Sequence, residues 1–459
     1  MSDNHADLIV LGAGPGGYAC AFRAADLGRN VVMVDPRATL GGVCLNVGCI
    51  PSKALLHAAE VIREARHGDD WGISTGKVSV DLEKLRAKKE SIVAQLTTGL
   101  VGLAKRRKVQ TIRGTAQFTG DKSVEIDGTT WTFDQAVIAV GSAPVRLPGW
   151  PEDDRIWDST DALELREVPP KLSIVGGGII GLEMATVYAA LGSKVTVIEF
   201  MDQIAPGADG DAVAILHAAL EAEGVTIHTN TKVNKVKATK ATLTLSCEGA
   251  FEGTIKADVA IQAVGRRSNG SLVAPKAAGI EMDDRGIIHV DAACRTNVAN
   301  IFAIGDVTGN PMLAHRATHQ GHVAAEVALG HSAALDTSLI PSVAYTAPEL
   351  AWAGLTQAQA KDQGIAYKVA SFPWVASGRN LASGGGDGLT KLVYCPDSHR
   401  LLGATIVGRN AGELLAESVL AMEMGATLED VSLSVHAHPT LSETVGFAAE
   451  RALGTLTDL

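Results

Sequence analysis

Aromatic residues are scarce in this 459-residue chain, at 4 %, and there are only six cysteines. Six thiols in a chain this long do not form a structural disulfide framework, so the fold must rest on buried apolar area. Basic residues are outnumbered: 40 Lys and Arg against 51 Asp and Glu give a formal net charge of −11. That balance argues against nucleic acid or an anionic membrane as partner, since both demand a basic face, although local basic pockets remain open. No stretch approaches the ~18–20 consecutive apolar residues of a membrane-spanning helix. Met1 to Asp7 is polar without a basic run, and the apolar Leu8 to Gly12 is too short for a signal-peptide core. These absences predict a cytoplasmic protein of roughly three or four domains. Glycine is plentiful, at 49 residues, but lacks the period of collagen.

The glycines are organised as a repeat. Residues 8–17 read LIVLGAGPGG, a buried strand running into Gly12-x-Gly14-x-x-Gly17. A helical stretch and a second strand, Val31 to Val34, lead to Asp35. Residues 172–181 read LSIVGGGIIG, a strand running into Gly176-x-Gly178-x-x-Gly181, then a helical stretch and Val195 to Ile198, ending in Glu199. Leu-Gly precedes the second strand in both copies, and first glycine and acid lie equally far apart in each. In such a βαβ unit the first glycine makes the tight turn, the second lets the backbone approach a pyrophosphate, and the third lets helix and strand pack closely. The helix N-terminus offers free N–H groups to the phosphates, and the acid accepts from a ribose diol. Two copies in one chain imply two dinucleotides.

Between and beyond these units the pattern is coarser. Leu82 to Gly102 reads as a long helix, and Val109 to Phe133 as a small β-meander with turns at Gly120-Asp121 and Asp127-Gly128. Ala136 to Gly141, Val259 to Gly265 and Ala299 to Asp306 read as buried strands ending at glycine or Gly-Asp. After about residue 340 come strands at Val343–Thr346, Lys391–Tyr394 and Ala404–Val407 and a helix at Gly412–Met424, with no dinucleotide signature. That stretch is expected to be a separate C-terminal domain.

Residues 41–53 read GGVCLNVGCIPSK, with Cys44 and Cys49 five apart and a helical pattern beginning after them. Free N–H groups at a helix entrance lower a thiolate pKa, so the pair suits disulfide redox chemistry. Buried or metal-ligating thiols are the alternative, but no further Cys or His stands at zinc-ligand spacing, and no metal site is expected. Near the C-terminus, His438-Pro439-Thr440-Leu441-Ser442-Glu443 sets a carboxylate five residues after an imidazole, a pairing suited to acid–base work, with His436 as competitor. Lys53 and Glu183 each follow a motif closely; either is an exposed charge, or the two pair and offset the cost of burial.

Together these segments resemble the pyridine nucleotide-disulfide oxidoreductase family, from the first strand to nearly the last residue. Gly41 to His57, and His438 to Glu443 as His-Pro-Thr-x-x-Glu, are similar to that family's branch that oxidises protein-bound dihydrolipoamide. The resemblance implies an α/β fold with two Rossmann-like domains, for FAD and NAD, and an α+β C-terminal dimerisation domain. The implied domains are 1–147 (FAD, first part), 148–266 (NAD), 267–337 (FAD, second part) and 338–459 (dimerisation). It implies one tightly bound FAD per subunit, NAD⁺/NADH as the second cofactor, and a homodimer. Cys49 would be the thiolate beside the flavin, Cys44 the sulfur that exchanges with substrate, and Lys53, paired with Glu183, a neighbour of the flavin. His438, held by Glu443, would be the acid–base group, supplied by the partner subunit. Cofactor contacts would come from Gly12, Gly14, Gly17, Asp35, Lys53, Ala116, Asp306 and Ala314 for FAD, and from Gly176, Gly178, Gly181, Glu199, Val233 and Gly265 for NAD. No lipoyl domain precedes residue 6, so a lipoyl-bearing component of a 2-oxo acid dehydrogenase or related complex is the implied partner.

Three residues depart from the family pattern: Asp35 for the commoner Glu, Val43 for Thr, and Ser268 for Pro. Glutathione or mercuric reductase is disfavoured by Leu45, Ser52, Glu199 and the lack of a terminal cysteine pair. NADH-dependent reduction of another small disulfide remains an alternative. A non-enzymatic flavin-binding subunit is disfavoured by the joint presence of Cys44, Cys49, His438 and Glu443.

Overall fold

The computed structural model describes residues 4–336 and 339–457; the expected boundary between 337 and 338 lies outside the described residues. The first sheet starts with β1 (His5–Leu11), α1 (Pro15–Asp26) and β2 (Val31–Asp35). Next come α2 (Gly42–Val47), α3 (Cys49–Arg66) and α4 (Leu82–Arg106). Four strands follow: β3 (Gln110–Arg113), β4 (Ala116–Gly120), β5 (Ser123–Ile126) and β6 (Thr129–Ile138). β1 is central, parallel to β2 on one side and β6 on the other.

The expected meander is only partly there. β4, β5 and β6 do run antiparallel in sequence, but β3 pairs parallel with β2 at the sheet edge. The helical crossover through α3 and α4 returns the chain in the direction in which β2 left, and only a parallel partner fits there. The chain rejoins this sheet late, when Ile301–Ala303 adds parallel to β6.

The second unit repeats the plan. Lys171–Val175 is flanked in parallel by Lys194–Ile198 and Val259–Gln262. Thr226–His228 lies beyond on one side and Ile156–Trp157 on the other. In both sheets the glycine turn sits at the carboxyl end of the central strand, where strand order reverses and a crevice opens. A three-stranded antiparallel sheet, Thr231–Ala238, Leu243–Gly249 and Gly253–Ala257, covers this unit.

The C-terminal domain is a five-stranded antiparallel sheet in the order Ser342–Ala344, Glu349–Gly354, Leu401–Gly408, Leu389–Tyr394, Lys368–Pro373. Helices Ala411–Glu423, Leu428–Leu433 and Glu443–Leu453 accompany it. Its own core centres on Phe372, Trp374 and Ile406. Another apolar cluster unites Leu55 of α3 with Leu182, Tyr188 and Ile261 of the second unit and Leu350 and Val407 of the C-terminal sheet. Lys391, 2 % exposed, adds a buried ion pair between domains, with Nζ 3.0 Å from both Asp211 oxygens and 3.3 Å from Asp209. Among the described residues no helix is long and apolar enough to cross a membrane.

Candidate active site

The two glycine turns divide their work identically. A Cβ on Gly12 would lie 2.2 Å from the Ala139 carbonyl oxygen, and one on Gly17 1.9 Å from that of Gly12. The equivalents, Gly176 and Gly181, would meet Ala263 O at 2.3 Å and Gly176 O at 2.0 Å. These four glycines are therefore required by the chain's own packing. The middle ones are not: both have ordinary extended backbone, at φ −72° for Gly14 and −76° for Gly178. A Cβ on Gly178 would meet nothing within 4 Å, and one on Gly14 only Gly42 Cα at 3.9 Å. That open space at a helix N-terminus is a cradle of the kind a pyrophosphate fills, so the residues fit a dinucleotide at each turn.

The strand-end acids brace these turns. Asp35 accepts from Ala13 N at 2.8 Å and Arg37 N at 2.9 Å. Glu199 accepts from Gly177 N at 2.5 Å and Met201 N at 2.7 Å. The shorter aspartate thus keeps the same two backbone partners as the glutamate. Each carboxylate oxygen has a further lone pair, and so can accept from a ribose hydroxyl as well.

The redox segment is tied to the first turn. Gly41 N donates to Ala13 O at 2.8 Å. A Cβ on Gly42, at φ +59°, would come within 2.5 Å of Gly14 Cα, so this close approach needs glycine at 42. Asn46 braces the loop by donating to Leu40 O and Gly42 O. Helix formation begins earlier than the sequence pattern suggested: Cys44 lies inside α2, Gly48 breaks the helix, and Cys49 opens α3.

The two sulfurs are unbridged, and the Cys44 thiol donates to Cys49. This bond, aided by Lys53 against desolvation and Glu183, pulls Cys49 down to about 7. The same bond, with desolvation, pushes Cys44 up. A proton donor and an incipient thiolate therefore sit side by side.

Lys53 and Glu183 meet because α3 packs on the helix Ile179–Leu191. Lys53 Nζ lies 2.9 and 3.1 Å from the two Glu183 oxygens. Glu183 is 5 % exposed at its side chain and Lys53 36 %. A third member comes from the C-terminal domain: the Tyr345 ring lies 4.3 Å from Lys53 Nζ. No local motif marks Tyr345, since its role depends on a contact between segments almost three hundred residues apart in sequence.

Asp306 lies in the short turn Gly305–Thr308 after Ile301–Ala303 and accepts from Ser142 Oγ at 2.5 Å. Arg266 donates to Ser142 Oγ at 2.7 Å and lies 3.9 Å from Asp306. Gly265, at φ +117°, turns the chain just before it. Ala314 is the first residue of the helix Ala314–Ala328, a position that leaves its N–H without an intrahelical acceptor. Ala116 and Val233 are buried, Ala116 in the core of the first domain and Val233 among Val175, Ile198 and Ala260.

The two histidines differ sharply. His436 is largely buried and bound to Glu417 at 2.6 Å. His438 is 81 % exposed, with Nδ1 2.9 Å from Glu443 Oε1, while Glu443 Oε2 accepts from Thr440 N at 2.7 Å. The imidazole is thus oriented through one nitrogen, and Nε2 remains for a reactant. In the same C-terminal segment the apolar residues Leu420, Met424, Leu433 and Val435 are exposed.

Residues 6–321 match the pyridine nucleotide-disulphide oxidoreductase family, and residues 340–449 match its dimerisation domain. The chain belongs to this family. It is similar to the dihydrolipoyl dehydrogenases of Vibrio cholerae, at 53 % identity over 99 % of this chain and 97 % of that one, and of Haemophilus influenzae, at 54 % over 98 % and 96 %. Among solved structures it resembles the HOCl-induced flavoprotein disulfide reductase RclA from Escherichia coli, with a TM-score of 0.87, 26 % identity, and coverage of 97 % and 99 %. Like the family it is an oxidoreductase with a disulfide redox centre that uses FAD and NAD(H). Its dimerisation domain supports a homodimer.

Ser268, where the family usually has proline, binds Gly286 O through its hydroxyl and accepts from Gly270 N at 3.1 Å. The loop is therefore held by hydrogen bonds where proline would hold it by ring stiffness. Nothing in the structure explains Val43.

Proposed function

We propose that this chain is a dihydrolipoyl dehydrogenase that oxidises protein-bound dihydrolipoamide and passes the electrons to NAD⁺. The observation that carries the reading is the unequal thiol pair beside Lys53 and Glu183, in a chain more than half identical to proteins of that name. A substrate thiolate attacks Cys44 of the Cys44–Cys49 disulfide, and Cys49, the sulfur with the lower pKa, leaves. The second substrate thiol attacks the mixed disulfide, freeing oxidised lipoamide and the Cys44 thiol. His438 of the partner subunit removes the substrate protons, and Glu443 orients the ring and stabilises its cation. A bound FAD would supply the two-electron acceptor for the reduced cysteines, and a bound NAD⁺ the final hydride acceptor. Gly12, Gly14, Gly17, Asp35, Ala116, Asp306 and Ala314 would hold the flavin nucleotide, and Gly176, Gly178, Gly181, Glu199, Val233 and Gly265 the nicotinamide nucleotide. The lipoyl group arrives on a component of a 2-oxo acid dehydrogenase or related complex, and the protein works in the cytoplasm.

RclA gives the alternative, reduction of another disulfide, its structural ground. The deciding experiment compares kcat/KM for dihydrolipoamide with NAD⁺ against NADH-driven reduction of lipoamide, glutathione disulfide and cystine. Turnover confined to the lipoyl pair is expected. A faster reaction with another disulfide would overturn the assignment.

A further inference from the structure

Tyr345 follows the first strand of the dimerisation domain, yet both its ring and its backbone reach the redox site. The ring faces Lys53 Nζ at 4.3 Å, and the Tyr345 N–H donates to Glu183 Oε1 at 3.3 Å. Glu183 thus receives Lys53 twice and the Tyr345 amide once. The ammonium lies between a pinned carboxylate and an aromatic face. A lysine ammonium is otherwise a strongly hydrated charge on a flexible stem. Attraction to the ring quadrupole opposes its drift into solvent, and strengthens where water is excluded.

The position of that ammonium matters because Coulomb terms fall with distance. Lys53 favours the Cys49 thiolate and Glu183 opposes it. If the ammonium swings outward while the buried Glu183 stays, the balance at Cys49 moves toward the thiol. Among the described residues, the other titratable groups around Cys49 and Lys53 include Cys44 on α2, Tyr18 on α1, Arg266, and from the dimerisation domain Tyr345 itself and Glu349, whose carboxylate Lys53 also favours. Among the described residues, the aromatic ring over the Lys53 ammonium is that of Tyr345.

We propose that Tyr345 is a positioning residue of the redox centre: it holds Lys53 against Glu183, so that each subunit's dimerisation domain orders the charges around its own Cys49. The inference rests on the proposed function only in taking Cys49 as the reactive thiolate, and is independent of the substrate.

The test measures the rate of iodoacetamide alkylation of Cys49 against pH in holoenzyme carrying Cys44→Ser. Tyr345→Phe keeps the aromatic face, whereas Tyr345→Leu and Tyr345→Met replace it with apolar bulk and keep the amide. The Phe variant should track its parent. Leu and Met should move the midpoint up by roughly 0.4–0.7 pH unit, about 2–5-fold less thiolate at a fixed pH below it. With Lys53→Met added, the difference between Tyr345 and the aliphatic variants should vanish. An unmoved midpoint in whichever aliphatic variant folds as a dimer, an equal shift with Phe, or a shift that survives Lys53→Met would overturn the proposal. Loss of the lipoamide reading would appear separately, as a parent enzyme with these midpoints and no lipoamide turnover.

Discussion

Replacing Glu199 by glutamine should change both coenzyme choice and stability, and the geometry sets the size of each effect. The 2′-phosphate of NADP would bring a dianion beside this carboxylate. Like charges ~4 Å apart cost about 1–4 kcal/mol over the range of effective dielectric from water to a protein surface. At 1.4 kcal/mol per tenfold, that is roughly a factor of 5 to 700 against NADP. Phe200, Met201 and Asp202, which follow, supply no cation to a phosphate. Unmodified enzyme should therefore strongly prefer NAD⁺, and Glu199→Gln should relax the preference without inverting it. The variant also has one carboxamide oxygen for two backbone donors, Gly177 N and Met201 N. Its NH₂ group faces the other N–H, leaving a buried donor unpaired at a cost of about 1–3 kcal/mol. The assay is kcat/KM for both coenzymes in parent and variant, with a thermal midpoint for each; the variant should melt a few degrees lower. Comparable kcat/KM for NAD⁺ and NADP⁺ in the unmodified enzyme would refute the reading of the ribose pocket. An unchanged midpoint in the variant would refute the bracing role.

Mixing inactive His438→Ala subunits with inactive Cys49→Ser subunits should restore activity in hybrid dimers, because one of the two shared sites then holds both groups; no recovery after verified subunit exchange would exclude a shared site. Alkylation of Cys49 in reduced enzyme should rise as pH passes about 7, while Cys44 stays protonated and slow; equal rates for both thiols would contradict the assignment. Because Cys49 sits below its unfolded value, its contribution to stability of the reduced form is complete above the unfolded thiol pKa and lost as pH falls through about 7. Lys391→Met should destabilise the chain by about 3–5 kcal/mol in chemical denaturation, since it leaves Asp209 buried without its cation; a change near zero would show that Asp209 is satisfied by Gln357 N and Thr405 alone.

What the sequence revealed divides by how locally each feature is encoded. Both glycine turns were legible because three glycines and one acid within a βαβ unit each meet a separate steric or electrostatic demand. The strand at Ile301 was legible as a strand, but its place beside β6 was not, because burial marks a strand without naming its neighbour. β3 was misread as part of the meander for the same reason: the preference for a parallel edge comes from the crossover through α3 and α4 and not from Gln110 to Arg113. The strands Glu349–Gly354 and Lys368–Pro373 escaped notice entirely. Each mixes buried with partly buried positions, and glycine or proline closes each, which blurs the pattern that marks a strand.

The redox site follows the same rule with a functional consequence. Cys44, Cys49 and Lys53 lie within ten residues, so one helix entrance and its preceding turn fix their geometry, and a short motif suffices to find them. Glu183, Tyr345 and Arg266 reach the same place from three other segments, and only tertiary packing brings them there. His438 goes one step further. Its Glu443 partner is local and visible in sequence, but within one chain the imidazole is exposed. The Glu443 contact fixes Nδ1 and leaves Nε2 of this exposed histidine open to a reactant. Under the proposed function, reactivity would be conditional on assembly: a lone subunit would carry the thiol pair without the base that feeds it, and the dimer would join the two.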